Sequence, residues 1–370
     1  MTGEVFQSRA VAGAAARLRV LDAGRATERA AWLRAWERWP EREPMAHPDY
    51  AALFARPGDR AVAALAETDG GGTILMPLVL RPLAAEPWAG EGGEAWDATT
   101  PYGYGGAFAW GGGARAGAAF WAEYGAFCRE ARVVSTFARL SLFPEQLARL
   151  PDGAEERAPN IVVPLERGEE ALWRSYEGKV RRWVRVAERA GLRVEPDGEG
   201  ARLDDFLRIY RHTMERNGAD AWYFFPRAFF EAIVERLRGQ FVFFHTLAQD
   251  AVVSSDLVLV SVENVYYFLG GTLDEAFPLG PNYLLKDRIA RWAIAHGKKR
   301  YVLGGGKEPN DSLFRYKRAY ARAGEVPFRV ASWVHDERAY ADLERQRAAF
   351  AARAASSWRP RPGFFPAYRA

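Results

Sequence analysis

Positive charge in this chain is written almost wholly as arginine, and the exceptions cluster. Of 51 basic residues six are lysine: Lys179, Lys286, Lys298, Lys299, Lys307 and Lys317. Five of these fall between 286 and 317. An ammonium is a compact point charge that can sit close to a developing oxyanion; a guanidinium is a flat fork and is not equivalent. Lys317 stands out because it follows Tyr316 on a predicted helix, downstream of Gly304-Gly305-Gly306. The residues alone leave two readings open for it, a catalytic cation or a structural one. Lys298 and Lys299 read as solvated basic surface.

Other chemistries lack their apparatus. His47, His212, His245, His296 and His335 form no metal-spaced pair, and there is no HExxH, so no metal is expected. No G-x-S-x-G elbow occurs. Gly304-Gly305-Gly306-Lys307 lacks the spacing and the Ser/Thr of a phosphate-binding P-loop, and no GxGxxG follows a strand. The single cysteine, Cys128, excludes disulfides within the chain and reads as a small core residue. Acyl transfer without a covalent enzyme intermediate remains.

At 370 residues, 49% hydrophobic and 14% aromatic, the chain suits two domains with sizeable cores. A net charge of +4 permits a phosphate-bearing partner without demanding one. The charge is uneven, with basic clusters at 179–193 and 286–322. The N-terminus has no long apolar run, so no signal peptide is expected, and no stretch reaches membrane-span length. With one cysteine, this favours a cytoplasmic location.

The elements that must position Lys317 follow from periodicity. Gly280-Pro281-Asn282 opens a helix with Leu284, Leu285, Ile289, Trp292 and Ala293 at helical spacing and Lys286, Arg288 and Arg291 on the other face. Residues 300–303 read as a strand running into the glycines, and 310–320 as an Asn- or Asp-capped helix. Upstream, 241–248, 252–262 and 265–269 read as strands. With the helix from 280 they follow in β-β-β-turn-helix order. In 179–190, Val180, Trp183, Val184 and Ala187 face a core, while Arg181, Arg185 and Arg189 form a stripe that reads as a solvated face or a phosphate contact. Trp222-Tyr223-Phe224-Phe225 reads mostly as core, with Tyr223 lining a cleft.

In the first half, a strand at 18–22, a helix at 27–39, a short helix from 49, a hairpin of 60–67 and 73–83 joined through 69–72, a helix at 117–130 and a strand at 133–141 are expected. The Gly- and Tyr-rich run 99–106 lets backbone approach a ligand. Residues 151–160 read as a loop and the best domain boundary. A late strand at 326–333, a helix at 336–353 and a packed Pro-rich tail close the chain.

The run GPNYLLKDRIARWAIAHGKKRYVLGGG followed by LFRYKRAYARAG resembles the C-terminal half of the FemAB/FemX aminoacyltransferases, two-domain relatives of the GNAT acyltransferases. The family's Phe-Lys-x-x-Phe-Gly motif reads here Tyr316-Lys317-Arg318-Ala319-Tyr320-Ala321. TPYGYGG is similar to the substrate-cleft loop of the family's first domain, and KVRRWVRVAERAGLRV to its inter-domain helix. The resemblance implies an α+β fold of two tandem GNAT-like domains, 1–158 completed by 336–370, and 159–335. It implies transfer of an amino acid from aminoacyl-tRNA, with no cofactor, to an amine of a peptidoglycan precursor or an antibiotic-pathway small molecule. Lys317 would be catalytic. Tyr316, Tyr102, Tyr104, Asn282 and Tyr223 would bind substrate, and Lys179, Arg181, Arg185 and Arg189 would bind tRNA. A monomer is expected. An acyl-coenzyme A donor is the alternative; Pro281 counts against it, because it removes an N–H where a GNAT turn meets the pyrophosphate.

Overall fold

The computed structural model describes residues 16–68, 71–89, 95–151, 153–306, 308–353 and 358–370. Lys307, most of the N-terminal run and the Asp69-Gly70 part of the hairpin turn lie outside them. The chain divides into two compact units. The first comprises Met1–Pro40, Met45–Arg157 and Phe328–Ala370, and the second Glu41–Pro44 and Ala158–Pro327. Both mix strands and helices, as expected of an α+β protein.

The first unit begins with β1 (Ala16–Asp22), α1 (Ala26–Glu37) and α2 (Pro48–Leu53). The hairpin β2 (Arg60–Thr68) and β3 (Thr73–Pro82) follows, then β4 (Trp96–Thr99), β5 (Phe108–Trp110), α3 (Gly117–Glu130) and β6 (Val133–Arg139). Its sheet runs β1-β2-β3-β4-β6, and residues 330–334 pair antiparallel with β6. β4 and β6 are parallel. Cys128 is buried under α3, where burial pushes its thiol up to about 12, out of range for a thiolate at neutral pH.

The second unit carries β7 (Ala154–Pro164), α4 (Gly168–Ser175), α5 (Gly178–Arg189), β8 (Arg193–Asp197), α6 (Leu203–Arg216) and α7 (Arg227–Arg236). It continues with β9 (Phe241–Ala248), β10 (Ala251–Val260), β11 (Asn264–Thr272), α8 (Pro281–Ala295), β12 (Arg300–Gly304) and α9 (Ser312–Arg318). The strand order is β7-β12-β11-β10-β9-β8. Only β11 and β12 are parallel, as their connection through α8 requires. The chain ends, back in the first unit, with β13 (Glu325–Val334) and α10 (Glu337–Arg353).

Two expectations fail here. Residues 154–160 belong to a strand, not a loop; their alternation of charge and small residues hid it. Trp222 and Phe224 are exposed, at 47% and 40%, so the aromatic cluster is not core. The tail does pack down: the Tyr368 and Ser135 hydroxyls are 2.8 Å apart, and the Trp358 indole donates to the Ala370 carbonyl at 2.9 Å.

The helix pair α5/α8 supports the site. Val180, Val184 and Ala187 bury against Leu284, Leu285 and Ile289 in the main core of this unit. At the head of α8, Gly280 adopts φ +68°, and a Cβ there would press on the Trp183 ring. Glycine is therefore needed both for the backbone and for the close approach.

Candidate active site

Lys317 lies in the last turn of α9, on the face that also buries Phe314. Asp311 starts this helix by accepting the Phe314 N–H at 2.6 Å. The lysine side chain turns inward and is 6% exposed. Its Nζ donates to the Gly305 carbonyl at 2.6 Å, in the glycine turn that leaves β12.

Next to it the pairing of the sheet changes. β11 pairs with β12 only over Asn264, Val265 and Tyr266, although β11 runs on to Thr272. Past Tyr266 the two parallel strands part, and the next residue, Tyr267, faces two lysines. Lys317 Nζ is 5.5 Å from the ring centroid and Lys286 Nζ 3.9 Å, both within cation–π range. Lys286 is ion-paired with Asp256 of β10, and both are buried. The cross-strand partner of Asp256 is Gly270, where a Cβ would overlap the carboxylate. Glycine on β11 thus makes room for a charge inside the sheet.

Lys286 was expected on the polar face of α8, and the structure overturns this. α8 is buried nearly all round, with Lys286 and Asp287 among its inward residues. The clue in the sequence was Asp256 itself, a lone charge within the apolar run 252–260. A buried carboxylate needs a cationic partner.

The electrostatics are unusual. Burial, and then the Lys286 charge, push Lys317 down to about 7, while Asp311 and Asp256 act in the opposite direction. Burial lowers Lys286 and raises Asp256, each resisted by the other's charge. At neutral pH Lys317 is therefore divided between ammonium and free amine, rather than being a permanent cation.

Tyr316 and Asn282 are brought together. The Tyr316 hydroxyl lies 3.2 Å from the Asn282 carbonyl, 3.3 Å from its side-chain amide and 3.1 Å from the Tyr320 hydroxyl. Its ring meets Tyr283 edge-on at 5.2 Å. Burial raises its pKa, with the Asp256 charge adding to the effect. Tyr320 and Ala321, two of the three departures from the family motif, are core residues beside Tyr176.

The remaining candidates lie on other elements. Tyr102 and Tyr104 are half-buried in the first unit. The Tyr102 carbonyl accepts the Tyr50 hydroxyl at 2.7 Å, and the Tyr104 ring meets Phe328 edge-on. Tyr223 lies on a short turn after α6, where its carbonyl accepts the Tyr210 hydroxyl. On α5 the arginine stripe divides. Arg181 turns in to donate to the Trp173 and Tyr176 carbonyls at the end of α4, whereas Arg185 stacks over Trp173 at 5.4 Å. Lys179 lies 3.5 Å from Glu177, and Arg189 is exposed. Lys298 donates to the Ser261 carbonyl and Lys299 pairs with Glu263, so both tie down local backbone and side chains rather than float in solvent. Ligand atoms of His212, Asp274 and Glu275 lie within 4.8 Å of one another at the surface, bringing the histidine to two acidic residues distant from it in sequence.

Residues 174–318, the stretch from α4 to α9, match the acetyltransferase (GNAT) domain model. Over 153 residues the chain is 22% identical to the UDP-N-acetylmuramoylpentapeptide-lysine N(6)-alanyltransferase of Weissella viridescens. The match spans 40% of this chain and 44% of that relative, less than half of each. The crystal structure of FemX aligns over 85% of this chain and 97% of its own, with a TM-score of 0.65 at 14% identity. The chain has the FemX fold. The C-terminal (DUF2156) domain of a putative lysylphosphatidylglycerol synthetase from Agrobacterium fabrum also aligns, over 90% of this chain and 98% of that one, with a TM-score of 0.51 at 14% identity. The FemX-type resemblance read from residues 280–324 is thus met in both sequence and fold. Among the described residues, no helix is long and apolar enough to cross a membrane.

Proposed function

We propose that this protein is an aminoacyltransferase that moves an amino acid from aminoacyl-tRNA to an amine of a peptidoglycan precursor. The observation that carries the reading is Lys317: a buried lysine whose hydrogen bond, among the described residues, goes to a single backbone carbonyl, beside strands that part. An ammonium has three N–H donors. One is used by Gly305, and two are left for a ligand. The acceptor's uncharged amine attacks the ester carbonyl. A C–N bond forms, the ester C–O bond breaks, and one amine proton ends on the departing hydroxyl. Charge builds on the carbonyl oxygen in between, and Lys317 donates to it. One such donor typically accounts for ~10²–10³ in rate.

In this reading Tyr316 stacks on a terminal base of the tRNA, where aromatic stacking contributes roughly 1–3 kcal/mol. Asn282, Tyr102, Tyr104 and Tyr223 contact acyl group or acceptor. Lys179, Arg185 and Arg189 meet phosphate, with Arg181 holding their helix in place. A cytoplasmic monomer working without a bound cofactor fits this scheme.

A second reading, acyl-coenzyme A as donor, is favoured by the acetyltransferase domain model. Against it stands Pro281, the first residue of α8, which offers no N–H at the helix N-terminus where a pyrophosphate would dock. One experiment separates them. The protein is incubated with a peptidoglycan precursor and either a pool of charged tRNAs or a panel of acyl-coenzyme A thioesters. Amide product that disappears on prior RNase treatment supports the first reading. Product from thioesters alone overturns it.

A further inference from the structure

Two lysines share the face of one tyrosine in the second unit, and among the described residues only Lys286 forms an ion pair with a carboxylate. Lys286 is held by Asp256 and lies 3.9 Å from the Tyr267 ring centroid; Lys317 lies 5.5 Å from the same centroid and bonds a neutral carbonyl. The charged and titratable groups around them come from every packed element. β10 supplies Asp256, β11 supplies Tyr267, α8 supplies Lys286, and α9 with its cap supplies Asp311 and Tyr316. Burial raises the pKa of Tyr301 on β12, and the Asp256 charge adds to the effect. Gly270 opposite Asp256 keeps the anchor in place.

We propose that Lys286, anchored by Asp256, is a positioning residue that sets the charge state of Lys317. The pair as a whole is neutral, but its geometry is not symmetric. Both nitrogens lie over one ring, and the Lys286 charge opposes protonation of Lys317 more than either Asp311 or Asp256 alone favours it. In a poorly solvated site, two like charges over one ring shift each other's protonation by roughly one pH unit. The consequence for acyl transfer is specific. A lysine that changes charge near neutral pH is able both to donate to an oxyanion and to exchange a proton with the reacting groups. That consequence rests on the proposed function; the charge coupling does not.

The test therefore reads the lysine directly. With only six lysines in the chain, 13C/15N-lysine labelling and NMR titration of the Cε and Nζ signals resolve Lys317 without any substrate. Lys286→Met is expected to raise the Lys317 midpoint by about one pH unit. Lys286→Arg, which keeps the charge, is expected to leave it within a few tenths. Asp256→Asn with Lys286→Met removes both charges together, and is expected to raise the midpoint by less than the single change. The double variant decides the matter if Lys286→Met alone does not fold. An unmoved midpoint in a folded charge-removing variant overturns the proposal, as does a wild-type Lys286 that loses its proton before Lys317. In the assay, the alkaline limb of kcat/KM should move with the NMR midpoint. A merely structural Lys286 would lower kcat without moving that limb. If the midpoint moves but no acyl donor is accepted, the coupling stands and the transferase reading falls.

Discussion

Each unit buries charge inside its sheet, and the two do so in opposite ways. In the first unit, Asp97 of β4 is fully buried between Arg81, at 2.6 Å, and Arg369, which also pairs with Glu86. Every charge has a counter-charge, and the result pins the C-terminal tail to the sheet. In the second unit, Asp256 and Lys286 satisfy one another, and Lys317 is left with a carbonyl. A buried charge with full partners is architecture. One that is buried and under-partnered costs free energy, and tends to be retained where chemistry uses it.

The sharpest way to break this contrast is to unbalance the first cluster. Arg369→Met leaves Asp97 buried with one cation instead of two. A broken buried pair costs about 3–5 kcal/mol, so denaturant midpoints should fall steeply. The kcat of whatever fraction stays folded should be unchanged. A stable, fully active variant would show that the first unit's charges are not the staple described.

Lys317→Met tests the second cluster and should do the reverse. Turnover should fall at least ~10²-fold, while stability near pH 6 rises. Lys317 holds its proton less tightly folded than unfolded, so the folding penalty is full below about 7 and fades as pH climbs towards the ordinary lysine value of 10.5. Removing the amine relieves that penalty, less the lost Gly305 bond. A gain of a few kcal/mol at pH 6, vanishing by about pH 10, is expected in parallel urea titrations. Near-wild-type turnover would remove Lys317 from the mechanism, and a pH-independent loss of stability would contradict its burial cost.

The same titration has a kinetic face. If the ammonium is the working form, kcat/KM in the wild type should decline as pH rises through about 7. The decline should be absent in Lys317→Arg, whose charge does not titrate in this range, even though its rate is low. A flat wild-type profile between pH 6 and 9 would mean that the lysine works equally well uncharged.

What the sequence made legible was local. Apolar spacing located α5 and α8, glycine marked the head of α8 and the turn after β12, and an acidic cap marked α9; these are short-range effects of backbone and periodicity. The Tyr316-Lys317 motif was therefore readable along with the helix that carries it. What escaped was everything that depends on pairing across the sheet. Lys286 looked solvent-facing because its partner, Asp256, lies on a strand that precedes it by a strand and a turn. β8 and the start of β7 were missed because edge and charge-rich strands lack clean alternation. The exposure of Trp222 and Phe224 has no local signature either, since hydrophobicity says what prefers burial and not what finds room.

The mildest prediction applies the contrast along a single helix. Arg181 and Arg189 stand two turns apart on α5 and read identically in sequence. Arg181 is committed to carbonyls at the end of α4, so Arg181→Ala should cost about 1–2 kcal/mol of stability through unsatisfied acceptors. It should leave the salt dependence of RNA binding unchanged. Arg189 is exposed, so Arg189→Ala should leave stability within about 0.5 kcal/mol. Its effect should appear as a shallower salt slope, by about one unit if one phosphate contact is lost. Measuring tRNA binding by both variants across a salt series decides whether the stripe holds RNA or simply faces water. If neither slope changes, Arg189 has no part in binding, and any tRNA contact on α5 must come from Lys179 or Arg185.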